Sequence, residues 1–152
     1  MITLTELTKA YEDGKALYEA MLEEHETAAF RTTEEYGSDP VNTVSLGDNL
    51  DYMMYLLKEK DMAGKIQLIY VDPPFFSSGK YQASIRLESE MLGKSSLMKL
   101  EAYDDNWSKG MPQYLTMLTA RLFAMKELLS DTGCIWMHLD WHGVYYVKVI
   151  MD

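Results

Sequence analysis

The middle of the chain carries two hydrophobic patterns of different period. Apolar residues at helical spacing predict an amphipathic helix over 49–60, which Asp48 or Asn49 can cap. The run "IQLIYV", which is apolar or aromatic at five of its six positions, predicts a buried strand at 66–71, and "NTVSL" predicts a short strand at 42–46. The predicted apolar face of the helix consists of Leu50, Met53, Met54 and Leu57.

The two ends of the chain are predicted to be mainly helical. Residues 3–30 form one or two helices, with Gly14 as a break, and "RTTEEYGSDP" is a linker by composition. In the second half, a helix is predicted from Pro112 to just before Gly133. "CIWMHL" then predicts a buried strand at 134–139, and "HGVYYVKVIMD" predicts a last helix.

Between these elements, residues 76–110 show little periodicity. They are predicted to form a long loop with one helical turn near 88–99. The predicted order is therefore strand, helix, strand, loop, helix, strand, helix. That order indicates an α/β domain with a mainly parallel sheet, preceded by an N-terminal helical segment and linker over 1–40.

Composition indicates a soluble cytoplasmic domain. The length of 152 residues suits one domain, and 47% hydrophobic with 12% aromatic residues indicates a globular chain. The single cysteine, Cys134, excludes an intramolecular disulfide and fits a reducing compartment. The N-terminus lacks the layout of a signal peptide, and no apolar run is long enough to span a membrane.

The net charge argues against strong nucleic-acid binding by these residues alone. Asp and Glu outnumber Lys and Arg by 24 to 14, which gives a formal net charge of −10. Proteins that grip phosphates are usually basic, because counterion release drives that affinity.

Acidic residues follow the predicted strands, at the edge where α/β folds bind ligands. Asp72 and Asp140 come directly after two strands, and Asp48 lies two residues beyond a third. Helix capping is the alternative for Asp48 and Asp140. Asp72 differs because Pro73 and Pro74 fix the backbone, donate no hydrogen bonds and hold the preceding carbonyls exposed. A carboxylate beside a fixed carbonyl, with an aromatic ring next to it, suits the exocyclic amine of a nucleobase.

The stretch Asp72-Pro73-Pro74-Phe75 resembles the signature of amino-group DNA methyltransferases that use S-adenosylmethionine, an acidic or polar residue followed by Pro-Pro-aromatic. "VSLGDNLDYMMYLL" is similar to the Gly-Asp-Asn-Leu segment that precedes this motif in the adenine-specific subgroup. The segment from Tyr114 to Asp152 is similar to the one that follows it in modification subunits of type III restriction systems. The resemblance runs from about residue 42 to the end. It implies a partial Rossmann-like methyltransferase domain over 41–152.

The resemblance also implies roles for individual residues. The catalytic residues are those of the motif, Asp72, Pro73, Pro74 and Phe75, and an aspartate at the first position favours adenine over cytosine. The cofactor, S-adenosylmethionine, is expected to contact Asp48, Asp72 and Asp140. The substrate base is expected to contact Phe75, Phe76, Ser77, Lys80 and Trp107.

Several of these residues have plainer interpretations. Trp107 also fits a packed aromatic that anchors its loop, and Ser77 and Lys80 fit a solvated loop. His138 alternates with apolar residues and is predicted to lie in the core or the sheet. His142 near Asp140 lacks a third ligand, so no metal site is predicted.

One feature of the related enzymes has no counterpart in these 152 residues. Their Phe-x-Gly-x-Gly loop holds the methionine part of the cofactor, whereas the nine glycines here form no Gly-x-Gly. The chain is therefore expected to be the N-terminal catalytic portion of a longer enzyme, either as a fragment or as a truncated gene product. The resemblance implies DNA as the partner and allows a restriction subunit or a homodimer.

Two other functions stay open. One is methyl transfer to a different amino group, such as cytosine N4, an RNA adenine or a protein glutamine. The other is a truncated, non-catalytic interaction domain. Analysis of the methylated product separates the first from adenine methylation, and the genomic sequence after codon 152 bears on the second.

Overall fold

The computed structural model of the protein describes residues 2–24, 26, 28–38, 42–77, 79–89 and 94–152. Four helices and four strands are assigned within them. The helices are α1 (Leu4–Glu23), α2 (Asn49–Lys58), α3 (Met111–Leu128) and α4 (Val144–Met151). The strands are β1 (Ile66–Val71), β2 (Lys80–Ser89), β3 (Lys94–Asp104) and β4 (Leu129–Met137).

Helix α3 lies at the centre of the core. It contributes fully buried residues such as Leu115 and Leu118, and α1 and α2 both pack against it. Full burial of an aliphatic side chain stabilises a fold by about 1.5–3 kcal/mol. The buried hydrophobic core consists of Ala10, Tyr18, Leu50, Met53, Met54, Tyr114, Leu115, Leu118, Ala120, Leu122, Ala124, Met125, Leu128 and Val147.

Gly14 allows α1 to approach α3 closely. A Cβ atom at this position would lie 2.5 Å from the Thr119 Cβ and 2.7 Å from the Thr116 carbonyl oxygen. Of the one or two helices predicted over 3–30, the structure has one, α1, which continues through Gly14 and ends at Glu23. The glycine serves helix packing instead of ending a helix.

The parallel sheet is confirmed, in a short form. Strands β1 and β4 pair in parallel, with Val71 opposite Met137, and α3 lies in the connection between them. Ile69 and Val71 pack against the core, whereas Leu68, Tyr70 and Trp136 on the other face are more than half exposed. The architecture is α/β and is compatible with the predicted fold class.

The predicted long loop is wrong over much of its length. Strands β2 and β3 pair antiparallel, from Lys80 opposite Asp104 to Ser89 opposite Lys94, and form a separate two-stranded sheet. The predicted helical turn near 88–99 falls largely on these strands, although residues 90–93 lie outside the described part. A hairpin ladder is built from backbone hydrogen bonds, so it forms without a clear hydrophobic pattern.

Two further boundaries differ from the prediction. No strand is assigned at 42–46, where Val44 and Leu46 are fully exposed and lack the neighbouring strand that a sheet requires. Helix α3 ends at Leu128 instead of near Gly133, and β4 begins at once. The register between β1 and β4 shifts at this point, where Gly133 passes close to the Ile66 carbonyl oxygen.

Candidate functional site

Asp72 stands at the carboxyl end of β1, open to solvent. It is the first residue after Val71, and its side chain is 58% exposed. Pro73 and Pro74 follow it in a half-buried turn with trans peptide bonds. Neither proline donates a backbone hydrogen bond, and their rings fix φ, so the backbone beside the carboxylate is held rigid.

His138 lies beside Asp72, directly after the neighbouring strand β4. Its backbone N–H donates to the Val71 carbonyl at 2.8 Å, and its Nδ1 is 3.4 Å from the Asp72 Oδ1. The ring of Phe75 meets the imidazole edge to face, with 5.2 Å between the ring centres. We call Asp72, Phe75 and His138 the acceptor cluster.

Of the two positions predicted for His138, the core is wrong, whereas its backbone N–H bonds to β1 at the end of the sheet. β4 ends one residue earlier, at Met137, and the His138 side chain is 59% exposed. Strand alternation places it on the same open face as Trp136, two residues before it. The signal for this residue was the parallel register, because pairing Val71 with Met137 brings Asp72 and His138 to adjacent strand ends.

The turn directs its two phenylalanines to opposite sides. Phe76 has a φ of 61°, in the left-handed region that a bulky residue rarely adopts. Its ring packs 5.6 Å from that of the buried Tyr114, whereas Phe75 lies beside His138. One ring of the turn therefore faces the acceptor cluster, and the other packs against the core.

Asp105 holds the turn from behind and was not among the predicted site residues. It is 1% exposed, and its Oδ2 accepts hydrogen bonds from the Ser77 N–H at 2.6 Å and the Ser77 hydroxyl at 2.7 Å. Burial by itself raises the pKa of this carboxyl, but hydrogen bonds from Ser77, Trp107 and Phe76 outweigh burial and hold the pKa below its ordinary value of 3.8. An acid in a predicted loop gave no signal of this role.

Trp107 and Tyr114 pack behind the turn, on the side that faces the core. The Trp107 Nε1 donates to Asp105 at 2.9 Å, and its ring packs 5.4 Å from that of Tyr114. These contacts are those of a packed aromatic that anchors its loop, and the predicted contact of Trp107 with the substrate base stays a prediction. Burial, with the nearby charges of Asp105 and Asp140, raises the pKa of Tyr114 far above its ordinary value.

Asp140 lies three residues beyond β4 and is engaged locally. Its Oδ1 accepts from the His142 backbone N–H at 2.9 Å, and its Oδ2 is 2.6 Å from the His142 Nδ1. The Trp141 ring stacks on the same imidazole. Among the described residues, no three metal-ligating side chains come together.

Asp48 contacts two helices, α2 and α3. It caps α2 by accepting from the Leu50 N–H at 2.7 Å, and it pairs with Arg121 of α3 at 2.9 Å. A capping side chain contributes about 0.5–2 kcal/mol to stability. The strand expected just before Asp48 is not assigned, so this residue does not stand at a strand end. Its predicted contact with the cofactor remains a prediction.

Lys80 is described only as the first residue of β2, and its side chain lies outside the described residues. Its predicted contact with the substrate therefore stays a prediction. Within the described part of the chain, no helix is long and apolar enough to cross a membrane.

Curated proteins with similar sequences come from restriction-modification systems. The Mod subunit of the type III enzyme StyLTI from Salmonella typhimurium is 28% identical over 120 residues, which are 73% of this chain. The type II methyltransferase M.EcaI from Enterobacter cloacae is 31% identical over 88 residues, or 58% of the chain. The EcoP15I Mod subunit from Escherichia coli is 25% identical over 70% of the chain.

The chain resembles the methyltransferases of restriction-modification systems. The predicted resemblance to type III modification subunits is thereby confirmed. The matched region covers 18% of the StyLTI subunit, 18% of the EcoP15I subunit and 16% of M.EcaI, so the chain spans about a fifth of the length of these relatives. No protein-family profile matches the chain. No solved structure matches it either.

Proposed function

We propose that the chain carries the acceptor site of a Rossmann-like DNA methyltransferase, which moves a methyl group from S-adenosylmethionine to the N6 amine of a flipped adenine. The observation that carries this proposal is the exposed Asp72 carboxylate at the end of β1, followed by two prolines and by Phe75 at the open side of the turn. The resemblance to restriction-modification methyltransferases supports the reaction class.

The chemical task of the site is to make a poor nucleophile reactive. The adenine N6 lone pair is delocalised into the ring. Hydrogen bonds from the amine to the Asp72 carboxylate and the Pro73 carbonyl favour a tetrahedral nitrogen. The lone pair of such a nitrogen is no longer delocalised into the ring and can attack the methyl group. This role is positioning and electrostatic stabilisation by fixed acceptors, without a covalent enzyme intermediate.

A flipped base needs a flat apolar surface to replace the stacking that it loses in the duplex. Phe75 offers such a surface beside the carboxylate, and the His138 imidazole meets it edge to face. The two rings form one wall of the proposed base pocket, and Asp72 forms its polar end.

The cofactor would supply an electrophilic methyl group on a sulfonium. Carboxylates suit its ammonium and hydroxyl groups as hydrogen-bond acceptors. Asp72 is exposed at the strand end and can accept from such groups, whereas both Asp140 oxygens contact His142, so the residues present fit only part of such a ligand. We propose DNA as the substrate and a restriction subunit as the partner, by analogy with the Mod subunits.

The test identifies the methylated nucleoside that is formed by the complete protein containing these residues. We expect N6-methyladenine after incubation with DNA and labelled cofactor, identified by digestion to nucleosides. Asp72→Ala should abolish transfer and leave thermal unfolding unchanged, because Asp72 is exposed and fills no cavity. Asp131→Asn, at an exposed position on β4, is the control and should be fully active.

Each contrary product identifies another function. N4-methylcytosine, methylated RNA or methylated glutamine would show a different amino acceptor. Normal turnover by Asp72→Ala would show that the acceptor site has been misplaced.

A further inference from the structure

The turn that follows Asp72 is tied to the open end of the β2–β3 hairpin, where β3 ends opposite the start of β2. Asp105, directly after β3, accepts two hydrogen bonds from Ser77 through Oδ2 and one from Trp107 through Oδ1. In the opposite direction, the Asp105 N–H donates to the Gly79 carbonyl at 2.9 Å. Together with a backbone hydrogen bond from Phe76, these contacts connect Asp105 to the turn after Asp72, to the start of the hairpin at Gly79 and to Trp107.

A buried carboxylate is unfavourable unless hydrogen bonds satisfy it. Asp105 is 1% exposed, and both of its oxygens have donors. The residue next to Ser77 is Phe76, whose left-handed φ of 61° persists only where surrounding contacts hold it. Asp105 on one side and the Tyr114 ring on the other supply those contacts.

We propose that Asp105 is a positioning residue of the acceptor site. By holding Ser77, it keeps Phe76 in its strained conformation, and Phe76 in turn sets the direction of the preceding Asp72–Phe75 turn. Asp105 touches neither the base nor the cofactor and acts through the backbone of the turn. This inference rests on the proposed methyl transfer. It adds the end of the hairpin to the parts of the fold that determine catalysis.

The first test compares steady-state kinetics of variants of the complete gene product. Asp105→Asn keeps the size of the side chain but replaces one carboxylate oxygen with an NH2 group, which cannot accept a hydrogen bond. The variant therefore loses either both bonds from Ser77, if Oδ2 is replaced, or the bond from Trp107, if Oδ1 is replaced. A displacement of about 1 Å at a reacting group lowers rates by about 100-fold. We expect kcat to fall by about 10- to 100-fold, with KM for the cofactor within about twofold of wild type.

Ser77→Ala provides a milder variant that should stay folded, because Asp105 keeps the Ser77 N–H and Trp107 as donors. It should lower kcat less than Asp105→Asn does. Combining the two should cause little further loss, since both disrupt the same contact. Asp131→Asn removes a charge at an exposed position and should leave kcat unchanged. Reduced thermal stability with normal kcat in both Asp105→Asn and Ser77→Ala would overturn the inference.

A second measurement separates this inference from the proposed function. In the 152-residue chain, Asp105→Asn should speed amide hydrogen exchange at Phe75, Phe76 and Ser77 and leave exchange within β1 unchanged. Unchanged exchange in the turn would overturn the inference. Faster exchange, combined with a wild-type protein that transfers no methyl group, would overturn the proposed function and still support Asp105 as the residue that holds the turn.

Discussion

At the scale of single residues, the turn after β1 separates two aromatic rings that are adjacent in sequence. Phe75 lies beside the His138 imidazole, and Phe76 packs on Tyr114. The backbone at Phe76 is left-handed, with a φ of 61°. Replacement of Phe75 and replacement of Phe76 should therefore affect two different properties of the protein.

Phe75→Ala in the complete gene product should weaken binding of the flipped base by about 1–3 kcal/mol, the usual contribution of stacking between a base and an aromatic ring. Phe75→Tyr should be tolerated because it keeps the ring face. Binding to DNA that carries 2-aminopurine at the target position reports the effect by fluorescence.

The control for this prediction is Phe76→Ala, which should lower thermal stability because that ring packs against the core. If Phe75→Tyr proved as damaging as Phe75→Ala, the Phe75 ring would be packed in a tight space and would not stack on a base.

The lowered pKa of Asp105 predicts that the stability of the fold depends on pH. Its pKa in the folded chain lies below the ordinary 3.8, so ionised Asp105 stabilises the folded state above about pH 4, and this contribution is lost as the pH falls through the lowered pKa. Asp105→Asn should thus unfold at a lower temperature than wild type at pH 7, and the gap should narrow below pH 4. A gap of constant size across this range would show that the charge of Asp105 contributes nothing.

At the scale of elements, close packing of α1 on α3 shapes the helical layer. Gly14 faces Thr119, and no side chain fits between the two helices at this position. In an isolated helix, alanine is favoured over glycine by about 1 kcal/mol, whereas overpacking a core costs about 1–3 kcal/mol. The second effect should win, because one of the atoms that an alanine would meet is the Thr116 backbone oxygen, which cannot move aside easily.

Gly14→Ala is therefore expected to destabilise the 152-residue chain by about 1–2 kcal/mol. Urea unfolding followed by circular dichroism measures the change. Glu12→Ala, at an exposed position of the same helix, is the control and should shift stability by less than about 0.5 kcal/mol. A more stable Gly14→Ala variant would show that the two helices can separate at little cost.

At the scale of the whole molecule, charge and missing sequence motifs limit what the 152 residues can bind. The formal net charge is −10, and the glycines form no Gly-x-Gly loop. The acceptor cluster would receive a base, but a methyl donor must also be held in line with the amine.

We therefore expect the 152-residue chain alone to be catalytically silent and to bind S-adenosylmethionine weakly or not at all. It should also bind duplex DNA weakly at physiological salt, because few phosphates can be neutralised. Calorimetric titration with the cofactor and a gel-shift assay with DNA test the two statements. Micromolar cofactor binding would show that the cofactor site lies within these residues.

Patterns along the chain were enough to predict several local features of this protein. Helical spacing predicted α2 and most of α3, the apolar run predicted β1, and the Asp72-Pro73-Pro74-Phe75 motif indicated the class of relatives. Such features depend on residues that are near one another in the chain, so a period or a motif is enough to detect them.

The tertiary structure determines which distant residues meet. Pairing of β1 with β4 brought His138 to Asp72, hairpin formation brought Asp105 to Ser77, and helix packing gave Gly14 its role. These contacts join residues 28 to 105 positions apart, and no local pattern along the chain encodes such distances.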